Sequence, residues 1–544
     1  MHRYSGFRHA SRTLLAGAAA IFILATTAQA FAAPLPSYLA RISVSSTGAQ
    51  LSGGCFGSSI SGDGRYVAFA SAAAGVVPGY GNGSSQVYVR DRLTGAVEIA
   101  SVSTGSTQGD GSSGYTAISA DGRYVAFVSN ATNLVTADTN GTYDVFVRDR
   151  VLGTTERVDL STSSAQANGA ASTSLDISAD GRYVAFVSDA TNLVTGDTNG
   201  TRDAFVRDRQ LNTTARVSLT SGSLQSVGAA FYVAISGDGQ TVAFVSSAAD
   251  LVSADTNAQP DVFLRKPSAG STVRVSVSST SVQGDNRSGD GGAEMSLSSD
   301  GRYVAFSSWA TNLVAGDTNS RPDIFVRDTT LNTTTRVSVA AGGAQGNDDS
   351  LGPSISGDGR YVAFGSQATN LAAGVSSGNV NIFVRDLVGG TTRLLSYGPD
   401  GHAAGQASQY PRISANGRHV SFDTMGVLLT SDTNSQMDVY AQTPGKAVKL
   451  STPALKGKLK PHKTAAFVGK SSPGETEYYS LTLQRFSKGK YRKFKSYTLL
   501  SNSEGVWKLA LKYGKGKYRL RAATIGSHFP NLVGTSAWKK FTVK

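Results

Sequence analysis

The chain is poor in the residues on which several kinds of protein depend. It has one cysteine, Cys55, in 544 residues, so no intramolecular disulfide forms and stability rests on packing. No Lys, Arg or His lies near Cys55 in the sequence to lower its pKa, and it reads as a buried, inert thiol. Histidine is also scarce: beyond the first 30 residues there are only His402, His419, His462 and His528. Serine-hydrolase chemistry needs a histidine base, of which there are few, and with no HExxH run and no cysteine pair zinc chemistry lacks its residues. His402 and His419 share one repeat unit and read as side chains without chemistry. Charged residues make up 16% and long helix formers are few, which excludes a helical fold; Gly, Ser, Thr, Val and Ala point to β structure.

Long apolar runs are absent too. The one from Leu14 to Ala25 is shorter than the ~20 residues of a spanning helix. Arg3, Arg8 and Arg12 flank it, and Ala28-Gln29-Ala30 closes it as a cleavage site, the pattern of an export signal over residues 1–30. With no cysteine at the cleavage site and no twin-arginine pair, the expectation is an exported protein, periplasmic, cell-surface or secreted, without a membrane anchor after processing. The net charge of +13 conceals an asymmetry: from Gly445 onward 22 lysines and arginines face 3 acids, whereas the stretch between leader and Gly445 is net −9. Two regions of opposite sign predict two domains, 31–452 and 453–544.

What the chain has in abundance is repetition. SGDGRYVAF from Ser61 recurs with small changes from Ser119, Ser178, Ser236, Ser298, Ser356 and Ser414. The aspartates of this turn are Asp63, Asp121, Asp180, Asp238, Asp300 and Asp358, with Asn416 seventh, at intervals of 58, 59, 58, 62, 58 and 58 residues. Each unit divides into four strand-like pieces, in the second Tyr115 to Ser119, Arg123 to Ser129, Asp144 to Arg148 and Thr154 to Leu160. The second and third, RYVAFVS and DVFVRD, are apolar on both faces, so both faces must be covered. Seven such sheets set radially cover one another, which predicts an all-β, seven-bladed β-propeller. The Asp-Gly pairs suit a tight hairpin with φ > 0 at both central residues, which gives these aspartates a structural role.

The turn and strand S-x-D-G-R-Y-V-A-F, followed by D-V-F-V-R-D, resemble the TolB-like propeller repeats, a WD-type group also found in prolyl oligopeptidase propellers. The resemblance spans Leu39 to Thr452. It departs from TolB itself, whose propeller is six-bladed and which has an N-terminal domain without counterpart here, so TolB's envelope role does not carry over. The ~95 residues after the repeats are too few for the hydrolase domain of the peptidases. Ring closure has two candidates, LARISVS from Leu39 and the segment Lys446 to Ser451, each similar to a fourth strand.

Alternating strand directions place the fourth-to-first and second-to-third connections on one end of the ring. These are the long ones, and long loops on a rigid scaffold are where binding is usually built. The second-to-third loops repeat D-T-N-x-x-x-D: Asp138, Asn140 and Asp144; Asp197, Asn199 and Asp203; Asp255, Asn257 and Asp261; Asp317, Asn319 and Asp323; Asp432, Asn434 and Asp438. Units one and six lack the pattern. Oxygens at positions 1, 3 and 7 resemble the start of calcium loops, including those of integrin-type propellers, and make these residues candidate calcium ligands. The alternative is an Asx turn that opens the third strand. The Arg-Asp pairs Arg90-Asp91, Arg148-Asp149, Arg207-Asp208, Arg327-Asp328 and Arg385-Asp386 read as lateral ties between blades.

After Pro453 six short strand-like runs follow, from Ala465 to Val543, with turn signals between them, which predicts a small β-sandwich. GVWKLAL and GKGKYRLRAA are similar to bacterial Ig-like domains, and the resemblance makes Trp507 and Tyr518 core residues. Lys488, Lys490, Arg492, Lys493 and Lys495 interleave with Tyr491, Phe494 and Tyr497, a candidate surface for anionic cell-wall polymers, lipid head groups or released DNA, or else a solvated face. The expected function is that of an exported, non-catalytic and monomeric scaffold whose loop-rich face binds a protein or glycan. The rival is a propeller enzyme of lyase or lactonase type, acting on a polysaccharide or lactone; clustered titratable groups at the axial channel would favour it.

Overall fold

In the computed structural model residues 39–442 are described, apart from 290–294, 376–377 and 399–402; beyond 442 only the strands named below are. The leader therefore lies outside the described residues. Seven four-stranded antiparallel sheets follow one another along the repeats, and the channel between them is lined by the first strand of every one. The molecule is a seven-bladed β-propeller, and its one described helical element is the 3-10 turn Pro267–Ala269.

The strand pattern explains how blades pack. In blade 2, Tyr124–Ser129 pairs with Asp144–Asp149 so that Phe127 lies opposite Phe146, their rings 5.9 Å apart. Val125 and Phe127 point one way; Ala126, Val145 and Val147 point the other. Each layer between blades is thus built from the small face of one sheet and the aromatic face of the next. Between blades 2 and 3, Ala126, Val145 and Val147 meet Val184, Phe186 and Phe205, all buried. Truncating one such ring to alanine costs about 3–5 kcal/mol, and the layer recurs around the ring.

The turn between first and second strands fastens neighbouring blades. In blade 1, Asp63 accepts hydrogen bonds from the Ser61 hydroxyl (2.7 Å) and the Arg65 N–H (2.9 Å), while Gly64 N–H closes the turn on Ser61 O (2.9 Å). The aspartates are structural, but the turn is not the one expected: only the glycine has positive φ, because the carboxylate caps the turn with Asp63 in ordinary backbone. Glycine is required for a second reason: at Gly122 a Cβ would stand 2.2 Å from Tyr66 Cδ2, since the tyrosine of blades 1, 2, 3, 5 and 6 lies on the next blade's turn. Thr241 takes the tyrosine place in blade 4 and His419 in blade 7, where it lies buried against Gly64. Residues 62, 120, 179, 237, 299, 357 and 415 are all Gly, Ala or Ser, and peptide bonds at this level hydrogen-bond from blade to blade, Gly62 N to Ala120 O, Ala120 N to Ala179 O, and finally Asn416 N back to Gly62 O.

Closure falls to the N-terminal candidate. Leu39–Arg41 forms the outer strand of blade 7, with Leu39 opposite Gln442 and Arg41 opposite Tyr440. Ile42 then joins Val439 and Ala441 in the layer against Val67, Phe69 and Tyr88 of blade 1. Lys449–Leu450 pairs instead with Ser471 and Ser472. Beyond it the described strands form two further antiparallel sheets. One joins Lys449–Leu450, Thr464–Ser472, Ala454–Lys456 and Val506–Lys512; the other orders Lys490–Leu500, Tyr478–Ser487, Gly516–Thr524 and Lys539–Val543. Tyr518 is buried, as expected.

Candidate binding face and its carboxylate loops

The D-T-N-x-x-x-D loops fold on themselves. Asn199 accepts the Thr201 N–H (3.1 Å) and donates to Ser226 O (3.0 Å), an Asx turn that delivers Asp203 to the start of the third strand. Asp197 and Asp203 then converge on one guanidinium: Arg216 Nη1 lies 3.2 Å from each, and Gln225 donates to Asp197 at 3.1 Å. All three charged side chains are buried. Blade 2 does the same with Asp138, Asp144, Arg157 and Gln166; blade 4 with Asp255, Asp261, Arg274 and Gln283; blade 5 with Asp317, Asp323, Arg336 and Gln345. In blade 7 the arginine and glutamine come from the other end of the chain: Arg41 reaches Asp432 (3.6 Å) and Asp438 (3.5 Å), and Gln50 donates to Asp432 (2.8 Å). Burial and mutual proximity push Asp138, Asp197 and Asp317 above the usual carboxylate range, and the arginine pulls them back.

These are the oxygens that the sequence offered to calcium, and the place between them is held by a guanidinium. Among the described residues no group of three or more Asp, Glu, His or Cys gathers as a metal cluster. The loop backbone itself takes the Asx turn. Blades 1 and 6 show that acids and arginine come and go together: Gln86 and Asn381 replace the last aspartate, and Ile99 and Leu394 occupy the arginine's place opposite Tyr88 and Phe383. The sequence reading missed the arginine and glutamine, whose signal was a fixed offset of 13 residues from the last aspartate and 28 from the first. One lock is irregular. Where Ser218, Ser276 and Ser338 donate to the strand-opening aspartate, blade 2 has Asp159, fully buried beside Asp144; burial and that neighbour raise its pKa well above the ordinary value.

The Arg-Asp pairs divide their labour. Arg148 donates to Ser103 O (3.1 Å) in the connection from the preceding blade, and Arg207, Arg265, Arg327 and Arg385 make the same tie. The aspartate works inside its own blade instead: Arg123 clamps Asp149 in a bidentate pair (3.0 and 2.7 Å), repeated at Asp91, Asp208, Asp328 and Asp386. Those clamps hold the carboxylates below the usual range, Asp328 down to about 2. Cys55, buried against Ser71, is pushed up to about 12 by desolvation, an inert thiol.

Among the described residues the channel wall is chiefly Ser, Thr, Ala, Gly and aliphatic side chains, and the charged ones lining it are Asp176 and Arg412, from blades 3 and 7. Asp176 accepts the N–H groups of Ile177 (2.8 Å) and of Ile235 in the next blade (2.9 Å), and Asp423 accepts the Gly57 N–H (2.8 Å) across the closing seam. Desolvation raises Asp176 to about 6 and Asp423 to about 7, against the pull of Arg412. At the loop-side mouth the first strands of blades 1, 2, 3, 4, 6 and 7 bulge, and exposed aromatic residues follow on consecutive blades: Tyr410, Phe56 and Tyr115. Tyr115 and Tyr410 have φ of 51° and 53°, where blades 1 and 6 place Gly57 and Gly352. This rim was invisible to sequence reasoning. Lys490, Arg492, Lys493 and Lys495 lie on the strand Lys490–Leu500; Lys488, His402, His462 and His528 lie outside the described residues.

No family model and no curated protein matches the chain. Among solved structures it is similar to a TolB candidate from Agrobacterium tumefaciens, 16% identical with a TM-score of 0.35, covering 64% of this chain and 93% of that one. A tetra-tandem repeat from the extending region of a large adhesion protein is 9% identical with a TM-score of 0.17, covering 90% and 98%. At these scores the propeller rests on the sheet topology alone.

The locks make two predictions. Arg216→Ala leaves two buried carboxylates facing each other and should destabilise the fold by about 3–5 kcal/mol. Arg216→Leu with Asp197→Val and Asp203→Asn, the residues blade 6 has at these places, should recover most of the loss in thermal melts, and chelator or added calcium should leave the wild-type midpoint unchanged. Asp159 resists ionisation in the fold more than in the unfolded chain, where it ionises at its ordinary value of 3.8, so its contribution falls as pH rises from there. Asp159→Ser should therefore stabilise by about 1–2 kcal/mol near neutrality and by progressively less as melts are repeated toward pH 4.

Proposed function

We propose that the protein is an exported, non-catalytic binding scaffold whose loop-rich propeller face captures a protein or glycan, while a basic Ig-like β-sandwich over 453–544 tethers it to an anionic envelope polymer. The leader pattern supports export, and no described helix is long and apolar enough to cross a membrane. The observation that carries the reading is the aromatic rim. A bulky side chain on left-handed backbone costs about 1–2 kcal/mol, and at Tyr115 and Tyr410 that cost brings no burial, since both are nearly half exposed. Flat rings with a polar edge fit sugar faces and peptide side chains alike. The enzymatic rival needs several titratable groups in the channel, and the polar ones found there bind backbone amides of the blades themselves.

Tyr115→Gly with Tyr410→Gly separates stability from binding, because two other blades already use glycine there. Melting should be unchanged or slightly raised, while capture of the partner from solubilised envelope by the full chain should be lost. Capture that survives the double substitution would remove the rim from the reading.

A further inference from the structure

The opposite face carries a feature that the binding scaffold does not use. In blades 1, 2, 3, 5 and 6 the third-to-fourth turn follows a clamped aspartate. Asp149 accepts the N–H groups of Val151 (2.9 Å) and Leu152 (3.0 Å); Asp208 those of Gln210 and Leu211; Asp328 those of Thr330 and Leu331; Asp386 those of Val388 and Gly389. With the carboxylate itself fixed by Arg123, Arg182, Arg302 or Arg360, the turn is rigid. What it holds out is apolar: Leu152, Leu211, Leu331 and Val388 are 68%, 66%, 65% and 77% exposed.

Equivalent points of a ring of repeats lie in one plane normal to its axis, so Leu152, Leu211 and Leu331, each three residues after its aspartate on blades 2, 3 and 5, are coplanar, and Val388, two residues after Asp386, stands on the corresponding turn of blade 6. In blade 7 no turn fills that place. The pair Leu39–Gln442 stands there, so the chain enters and leaves the propeller at the same level, and the segment that leaves soon carries +19 from Gly445 onward. Rigid apolar tips in one plane, with a strongly basic segment joined to the same plane, match a flat surface that is anionic outside and apolar beneath. We infer that this face docks on an anionic lipid bilayer, Leu152, Leu211, Leu331 and Val388 entering the headgroup region while the basic segment supplies attraction to the charge. The inference stands apart from the loop-face reading, and either can fail without the other.

The test is flotation of the full chain with vesicles of phosphatidylcholine and phosphatidylglycerol, comparing wild type with Leu152→Ser/Leu211→Ser/Leu331→Ser/Val388→Ser. The wild type should partition onto the vesicles and the variant about tenfold less, with the same melting midpoint for both because the substituted side chains are exposed. Charge alone can hold a protein near such vesicles, so Leu211→Trp supplies a second readout: its emission should move to shorter wavelength when vesicles are added. Equal partitioning of the two proteins, failure of the wild type to float, or an unshifted tryptophan would each overturn the inference. So would a dimer that the fourfold substitution dissolves without lipid, which would make a second copy of the chain the occupant.

Discussion

A sheet that is apolar on both faces has no stable existence alone, and the whole molecule is arranged around that constraint. Second and third strands such as Tyr124–Ser129 and Asp144–Asp149 are buried nearly throughout. Each presents a small face to one neighbour and an aromatic face to the other, so no blade is complete until the ring is. The last layer, between blades 7 and 1, forms only when residues near the start of the chain supply Ile42 and the outer strand. Closure is therefore a long-range event that the preceding local packing makes worthwhile.

Polar groups follow from the same geometry. Low-dielectric seams penalise an unpaired charge, and apart from Asp159 the buried carboxylates described above meet Arg and Gln in the locks, Arg in the clamps, or backbone N–H groups at Asp176 and Asp423. The seventh lock is the informative one. Arg41, Ser43 and Gln50 serve Asp432 and Asp438 as Arg216, Ser218 and Gln225 serve Asp197 and Asp203, so the closing strand is recognised by its side chains as well as its backbone. The two ends of the ring consequently differ: one carries long loops and an aromatic rim, the other short clamped turns and both chain ends.

Much of this was legible in the sequence because the signals are local or repeated. Two-sided apolar strands at near-constant spacing gave blade number and strand order, and the six runs after Pro453 recur as strands in the structure. Closure was ambiguous because Arg41-Ile42-Ser43 and Lys449-Leu450-Ser451 share a pattern, and choosing between them takes the forked guanidinium that bridges two carboxylates where a lysine offers one point charge. The aspartate loops suggest calcium because two carboxylates stand close together in seven residues, while the guanidinium and the amide that meet them lie on another strand and another loop. The covariation of Gln86 with Ile99 and of Asn381 with Leu394 was in the sequence all along. The exposed tyrosines and the leucine tips carried no local signal, since bulge geometry and exposure depend on the assembled ring.

Closure by the N-terminal strand is the claim on which everything else depends, and the pair Leu39 and Gln442 tests it directly. In a Cys55→Ala background, Leu39→Cys with Gln442→Cys should form one intramolecular disulfide in nearly every molecule under mild oxidation, and the melting midpoint should rise with it. Thiols that stay free, or that link only between molecules, would contradict the account.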